Sequence, residues 1–450
     1  MNNTFKLYTI AALLGFCTLT ACNLVDVTDI EPVNQLSEDQ AITNISSAEK
    51  VLAGAYGQVR GGLELIVYSP GSAAQLGLTF GAVGENSFVN NSVASDDFYV
   101  SAIYIRWYKI INIANHIIEK TEKLDVDNPR KAEIIGEAKF LRALSHFYLL
   151  RFWGQFYKMD SEYGIVMRDK PVADASALPR NTVKECYDLI FSDLDEAIAK
   201  APEYKKSVYA SKVAAKALKA KVLMYAKRYS EVSSLTQAVI SSGQVKLETT
   251  FADVFKNKHN SLEALFATPF DEKNERNNKA FMYRSSYIMS DYYKSIMATD
   301  ARKSVAITAT GRNGKFLGAT VNSQPLTADT EYFMRLAEVY LIQAEALARS
   351  GGSLAEVRSS LNAVRKRAGM PDITFDTKAE LLEAIRMEKI YELGAESGEE
   401  WFDLVRYTKE GDLHIENIKS GIRSETQFIL PIPLNTIRSS QNVVKQNPGY

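Results

Sequence analysis

Helical periodicity that recurs in closely spaced pairs is the feature that most constrains how this chain of 450 residues can fold. Apolar side chains return every three or four positions, so each stretch presents one apolar face as a helix. The two pairs span 213–226 with 230–240, and 332–349 with 354–368. Helices of this kind cannot bury their apolar faces alone and therefore stack on one another. The sequence predicts a mostly α protein.

The turns and starts of these helices carry signals of their own. Small residues such as Ala217 and Ala344 let the two helices of a pair approach closely. Such pairs resemble tetratricopeptide repeats, although the full repeat consensus is not met. A Ser or Thr three positions before a Glu forms a capping box, which predicts helix starts at 46–49, 182–185 and 377–380. We expect tetratricopeptide-like pairs that scaffold long loops, with only minor short strands.

Two long stretches lack this periodicity and are rich in aromatic residues and asparagine: Gly61 to Asp97 and Phe270 to Gln324. Loops of this length in a compact domain are usually functional or disordered, and their many aromatic residues argue against disorder. An aromatic ring can stack on the apolar face of a sugar while neighbouring amides bond its hydroxyl groups, and a peptide or aromatic ligand would use a similar surface. The candidate ligand contacts are Tyr68, Asn86, Phe88, Asn90, Asn91, Tyr283, Arg284 and Tyr287.

The first 22 residues differ in kind from the rest of the chain. An apolar run from Leu7 to Leu19 follows a basic end and is too short to span a bilayer as a folded helix. This is the anatomy of a secretory signal. The run closes on Leu-Thr-Ala-Cys, which resembles the bacterial lipobox, whose cysteine thiol receives diacylglycerol. We expect a signal peptide at 1–21, an acylated, palmitate-bearing Cys22 and a polar tether at 22–37. The alternative is an ordinary signal peptide with a chance cysteine.

Charge and cysteine content exclude several classes of protein. The chain has 53 basic and 54 acidic residues and a net charge of -1, without a long basic block, so we expect no nucleic-acid partner. Cys17 is removed with the signal and Cys22 would be acylated, which leaves Cys186 without a disulfide partner. No later apolar stretch is long enough for a transmembrane helix, so the lipid would be the only membrane attachment.

No catalytic or metal-binding motif is apparent. The histidines lack metal-ligand spacing, and neither a phosphate-binding loop nor a GxSxG elbow is present. The best enzymatic candidate is an acidic cluster, since paired carboxylates can cleave glycosides. It comprises Glu388, Glu392, Glu396, Glu399, Glu400 and Asp403. Its members recur at helical spacing among Arg and Lys, which favours structural ion pairs and a solvated helix face. We therefore predict no enzyme activity, no cofactor and no metal.

Five ordered motifs and a C-terminal signature run along the chain. They are 108–111 with Asn115, 137–144, 335–341 with 344–346, 385–392 and 401–406, followed by 431–433 and 446–450. Together they resemble the SusD/RagB family of outer-membrane nutrient-binding lipoproteins. One departure lies at 395–398, where the family commonly has a shorter acidic-glycine step, and it concerns local geometry only.

The resemblance implies a role as well as a fold. Family members are mostly helical, and they cover a TonB-dependent, SusC-like transporter as a lid. Their ligands are commonly glycans and sometimes peptides. The resemblance implies an outer-membrane lipoprotein facing the cell surface, with an N-terminal helical region at 38–260 and a C-terminal region at 261–450 packed as one globular unit.

Two other functions stay open at this point. A helical-repeat scaffold that binds only proteins would need neither a lipid anchor nor aromatic loops. A secreted glycan hydrolase would show turnover of its ligand.

Overall fold

The computed structural model describes residues 41–81, 86–172, 177–268, 282–283, 287–316, 320–321, 324–325 and 330–450. The predicted signal peptide, the lipidated Cys22 and the tether at 22–37 lie outside the described residues, as does Arg284. The assignments made for them remain predictions.

Helices dominate the described residues, which confirms the predicted fold class. The α-helices are α1 (Ile45–Gly61), α2 (Ser69–Leu76), α3 (Phe98–Glu122), α4 (Pro129–Trp153), α5 (Val183–Lys200), α6 (Lys212–Tyr225), α7 (Val232–Ile240), α8 (Phe251–Asn257), α9 (Asp291–Ile296), α10 (Lys303–Ala306), α11 (Leu336–Ser350), α12 (Leu354–Arg367), α13 (Lys378–Leu393), α14 (Glu399–Glu410), α15 (Ile415–Ile418) and α16 (Leu434–Ser439). A π-helix at Glu64–Tyr68 precedes α2.

The strands are short and pair antiparallel in twos. They are β1 (Phe80–Gly81) with β3 (Ile288–Met289), β2 (Ala264–Ala267) with β6 (Tyr332–Arg335), and β4 (Thr320–Val321) with β5 (Gln324–Pro325).

Both predicted helical pairs are present. Helix α6 packs against α7, and α11 packs against α12. Gly351 lies just after α11 with a φ of 83°, a left-handed conformation that glycine adopts without the steric cost of a side chain. The predicted start of the second pair at residue 332 is wrong. Residues 332–335 form β6, whose hydrogen bonds with β2 keep this segment extended and delay the helix to Leu336.

The predicted helix caps are correct at two of three positions. Thr182 forms a reciprocal capping box at the start of α5, and the Thr377 side chain accepts from the backbone N–H of Glu380 at the start of α13. The box predicted at 46–49 is wrong. Asn44 caps α1 by accepting from the Ser47 N–H, because its side chain supplies an acceptor two residues earlier than predicted.

The stretch predicted to be an aperiodic loop at Gly61 to Asp97 is helical in its first half. The π-helix and α2 occupy it, and all eight residues of α2 are buried. A helix that is buried on every side has no polar face, so its sequence lacks the alternation that reveals amphipathic helices. In the second stretch, the described residues include α9, α10 and β3.

The core joins the two halves of the chain. The tryptophans at 107, 153 and 401 are each at most 1% exposed. The ring of Phe152 in α4 lies 5.1 Å from that of Phe402 in α14. The Asn447 side chain donates to the backbone carbonyls of Trp153 at 2.9 Å and Leu430 at 2.7 Å. Within the described ranges, no helix is long and apolar enough to cross a bilayer.

Candidate ligand-binding surface

Most of the aromatic residues predicted to contact ligand are buried. Phe88 is 4% exposed, Tyr283 is 0% exposed and Tyr287 is 7% exposed. The rings of Tyr283 and Tyr287 lie 5.3 and 5.1 Å from that of Phe80 in a common apolar cluster. Only Tyr68, at the end of the π-helix, is half-buried. Phe88, Tyr283 and Tyr287 therefore lie beneath the protein surface in this conformation.

The predicted asparagines have different environments. The Asn86 side chain accepts from the backbone N–H groups of Phe88 at 2.9 Å and Val89 at 3.2 Å, so it stabilises a turn. Asn90 is exposed. Asn91 is buried with a φ of 51°, and its backbone carbonyl accepts from the Gln427 side chain at 2.8 Å. Of these three, Asn90 is the one whose side chain faces solvent.

Two aromatic residues that the sequence analysis did not single out lie beside Tyr68. Phe98 is 69% exposed and Tyr99 is 36% exposed. The Tyr99 ring lies 4.5 Å from that of Tyr68, 5.5 Å from that of Phe98 and 6.4 Å from that of Phe88. We call Phe98, Tyr99 and Tyr68 the aromatic ladder.

Hydrogen bonds at the start of α3 position the aromatic ladder. The Asp97 side chain caps the helix by accepting from the N–H groups of Tyr99 at 2.8 Å and Val100 at 3.1 Å. Just before it, the Ser95 carbonyl accepts from the Leu434 N–H at 2.8 Å, which ties the segment to α16. Phe98 and Tyr99 precede the apolar stripe of α3, which begins at Val100, so helical packing does not bury them. Their position just outside that stripe is the sequence signal that could have found them.

A second set of contacts holds the π-helix that ends at Tyr68. Arg106 in α3 donates to Glu64 at 3.2 Å and to Gln58 at 2.7 Å, which links α3 to the π-helix and to α1. Burial, together with the nearby Tyr99 and Glu64, raises the pKa of Tyr68. Its hydroxyl therefore stays protonated at neutral pH and can donate a hydrogen bond.

The acidic cluster forms structural ion pairs, as the sequence predicts, but its predicted location on a solvated face is wrong. All six carboxylates are at most 4% exposed. Glu392 accepts from Arg302 at 3.0 Å and also from Arg335 and Arg367. Burial alone would raise the pKa of Glu392, but the three guanidinium groups hold it well below its usual range. These carboxylates therefore lie in the protein interior.

Glu400 is the one member of the acidic cluster whose pKa is shifted upward. Burial raises the pKa of Glu400 to about 7, although its carboxylate accepts from the Thr79 hydroxyl and from the Ala395 N–H at 3.2 Å. The Lys419 ammonium donates to the carbonyls of Leu76 and Gln75, and burial lowers the pKa of Lys419 to about 7. Both side chains thus hold residues 75–79, which lead into β1.

Family comparisons agree with this architecture. A model described as "Starch-binding associating with outer membrane" matches residues 37–224, and a model described as "SusD family" matches residues 234–450. The two matches together extend over most of the chain. The protein belongs to the SusD/RagB family.

Individual SusD relatives match this chain over at least about two thirds of its length. The "SusD-like protein P2" of Formosa agariphila is 24% identical over 99% of this chain and 100% of that protein. A "SusD-like protein" of Bacteroides ovatus is 25% identical over 71% of this chain and 68% of that protein.

Solved structures of SusD proteins share the fold. A SusD superfamily protein of Bacteroides thetaiotaomicron has a TM-score of 0.76 at 22% identity, covering 90% of this chain and 100% of the other. A "Laminarin binding SusD-like protein" has a TM-score of 0.75 at 23% identity, covering 91% and 100%. SusD-like proteins are binding proteins rather than enzymes, in keeping with the buried carboxylates described above.

Proposed function

We propose that this SusD/RagB protein binds a glycan at the aromatic ladder and delivers it to a TonB-dependent transporter in the outer membrane. The observation that carries the proposal is the clustering of the exposed Phe98 and Tyr99 with the half-buried Tyr68, since the Tyr99 ring lies within 5.5 Å of both other rings. A contiguous exposed patch of apolar rings commonly marks a binding site.

The chemistry of the ladder fits a sugar chain. Ring faces contact the apolar faces of pyranose units, and the Tyr68 hydroxyl and the exposed Asn90 amide supply hydrogen bonds to hydroxyl groups. One structural neighbour is a laminarin-binding protein, which supports a glycan over a peptide. The predicted contacts Asn86 and Asn91 would act by shaping the loop that precedes the ladder.

Two other functions have less support. A protein-interaction scaffold would not require the aromatic ladder. A hydrolase would require accessible carboxylates, whereas Glu392 and Glu396 are buried and bonded to arginine or lysine side chains.

Alanine substitution in the ladder is the first test. We expect Phe98→Ala and Tyr99→Ala each to weaken binding of a laminarin oligosaccharide, or of another glycan found by screening, about tenfold. A ring–sugar contact contributes on the order of 1 kcal/mol or somewhat more, and about 1.4 kcal/mol corresponds to a factor of ten. Isothermal titration calorimetry measures the effect.

The matched control for this test is Phe375→Ala, which removes a ring that is 43% exposed in the segment between α12 and α13. It should bind like the wild type. If both ladder variants are folded and retain wild-type affinity, the glycan site does not lie at the ladder.

The membrane anchor has its own test. The proposal includes acylation of Cys22, which the lipobox-like residues 19–22 support, and the matched family model is described as outer-membrane associated. We expect Cys22→Ala, expressed in a bacterium with lipoprotein processing, to move from the membrane fraction to the soluble fraction. Cys186→Ala serves as the control because that thiol is buried. Unchanged membrane retention of the Cys22 variant would refute the anchor.

A further inference from the structure

Two contacts lie one after the other along the seam between α3 and the π-helix. The first joins the rings of Tyr99 and Tyr68, whose centroids are 4.5 Å apart. The second is the ion pair between Arg106 and Glu64, with 3.2 Å between nitrogen and oxygen. Arg106 follows Tyr99 by seven residues, so both lie on the same face of α3, about 10 Å apart along its axis. Glu64 precedes Tyr68 by four residues in the π-helix. The ion pair therefore follows the aromatic ladder along the same seam.

The groups of this ion pair keep unused hydrogen-bonding capacity. In Arg106, Nη1 donates to Gln58 Oε1 at 2.7 Å and Nη2 donates to Glu64 Oε2 at 3.2 Å. Each of these nitrogens carries a second N–H group. In the described part of the chain, Glu64 Oε1 accepts no hydrogen bond. The side chains of Arg106 and Glu64 are 23% and 25% exposed, so these groups reach solvent. We call Gln58, Glu64 and Arg106 the polar cluster.

The chemistry of the polar cluster suits hydroxyl groups. A sugar hydroxyl is both a donor and an acceptor, so it can donate to the carboxylate while it accepts from a guanidinium N–H group. Such bonds are stronger than those between neutral groups because one partner is charged. The two charges of the cluster compensate each other. A carboxylate on the ligand would therefore meet Glu64, and an ammonium group would meet Arg106, whereas a hydroxyl group meets no opposing charge.

We propose that the polar cluster is a second subsite of the glycan site and binds the hydroxyl groups of an uncharged sugar unit beyond the aromatic ladder. It depends on the proposed function, because the ladder must hold the first sugar units. Ring contacts then bind one part of the chain, and the cluster selects for chain length and for neutral sugars. The natural ligand is a neutral oligosaccharide rather than an acidic or amino one.

Chain length provides the first test. The probes are tri- and hexasaccharides from laminarin, starch and β-mannan. Successive ring centroids of the ladder are 5.5 and 4.5 Å apart, so a trisaccharide can cover the ladder, whereas a hexasaccharide also reaches the polar cluster. We expect at least one hexasaccharide to bind the wild type about tenfold more tightly than its trisaccharide, because the added units bond to charged groups. Isothermal titration calorimetry measures both affinities.

Substitutions in the polar cluster test the location. Glu64→Gln keeps an oxygen that can accept from Arg106 but removes the charge. We expect this variant to lose most of the tenfold advantage of the hexasaccharide while its affinity for the trisaccharide stays unchanged. Gln58→Ala leaves the ion pair in place and should weaken hexasaccharide binding about threefold, as expected for one neutral hydrogen bond. A purely structural ion pair would instead act through Tyr68 and weaken both oligosaccharides equally.

A matched control and a charged probe complete the experiment. Glu119→Gln removes the same charge from an ion pair with Lys123 in α3, about 30 Å from Tyr99, and should change neither affinity. Hexagalacturonate carries a carboxylate on every unit. We expect it to bind the wild type less tightly than the best neutral hexasaccharide, because its carboxylates meet Glu64.

The possible outcomes separate the two proposals. If the ladder binds trisaccharides but hexasaccharides bind no more tightly, or if Glu64→Gln keeps the advantage or lowers both affinities equally, the second subsite is wrong and the proposed function stands. If hexagalacturonate binds more tightly than every neutral hexasaccharide, the preference for uncharged sugars is overturned. If no oligosaccharide binds at all, the proposed function and the inference both fail.

Discussion

Replacement of Arg335 by methionine is expected to lower the free energy of unfolding by about 3–5 kcal/mol, the usual cost of removing one partner from a buried ion-pair network. The Arg335 guanidinium is 1% exposed. It donates to Glu396 at 3.0 Å, to Glu263 at 3.3 Å and to Glu392. Without it, three buried carboxylates lose a counter-charge, and methionine supplies no hydrogen-bond donor in its place.

Urea denaturation at pH 7 measures this loss of stability, and two further variants serve as comparisons. Arg358→Met breaks an exposed ion pair with Asp376 and should cost less than about 1 kcal/mol. The double variant Arg335→Met with Glu263→Gln should recover part of the loss, because it removes one of the three carboxylates, and Arg367, the other partner of Glu263, keeps Glu392 as a counter-charge. Equal losses for Arg335→Met and Arg358→Met would show that the network contributes nothing beyond a surface pair.

The second expectation concerns pH. The pKa of Glu400 is raised from 4.5 to about 7 in the folded protein because the carboxyl group is buried. Between these two pH values the unfolded chain releases the proton while the folded protein keeps it. The stability contributed by the protonated side chain is therefore full below pH 4.5, falls as pH rises, and is lost above pH 7. The loss amounts to about 3 kcal/mol, since each unit of pKa corresponds to about 1.4 kcal/mol.

Glu400→Gln removes the proton equilibrium while keeping a side-chain oxygen that can accept from Thr79 and Ala395. We expect the stability of this variant relative to the wild type to increase by about 3 kcal/mol between pH 4.5 and pH 8. Lys419 is common to both proteins, so its own titration cancels in the difference. Thermal or urea unfolding across this pH range provides the measurement.

The control for the pH experiment is Glu122→Gln, at the exposed end of α3. Its effect on the free energy of unfolding should stay within about 0.5 kcal/mol, as is usual for exposed substitutions. A pH-independent difference for Glu400→Gln would show that this carboxyl group titrates alike in the folded and unfolded chains.

The helical scaffold was predictable because its signals are local. A pair such as α6 and α7 shows its period in the sequence, and Thr182 with Glu185 marks a helix start within four residues. The start of α11 was misplaced because Tyr332–Arg335 becomes a strand only through its pairing with β2, about 70 residues earlier. Local periodicity contains no information about such a partner.

The candidate site was less predictable, because exposure is a property of the tertiary structure. Tyr283 and Tyr287 look like loop aromatics in sequence but pack around Phe80. Phe98 and Tyr99 look like the first residues of a buried helix in the sequence. In the structure they are exposed, because the buried face of α3 begins only at Val100. The acidic cluster shows the same limit. The helical spacing of the carboxylates predicts ion pairs. It does not predict that these ion pairs are buried, because Arg302, Arg335 and Arg367 are brought to the cluster by tertiary packing.

The bond between Asn447 and the Trp153 carbonyl joins positions 294 residues apart. A nascent chain synthesised from its N-terminus cannot make this contact until almost all of its residues have been added. The α3 and α4 helices can form early, and Arg180 can donate to the same carbonyl at 3.0 Å, but the bond from Asn447 has to wait for the last motif. The C-terminal residues therefore complete this part of the core only after nearly the whole chain has been synthesised.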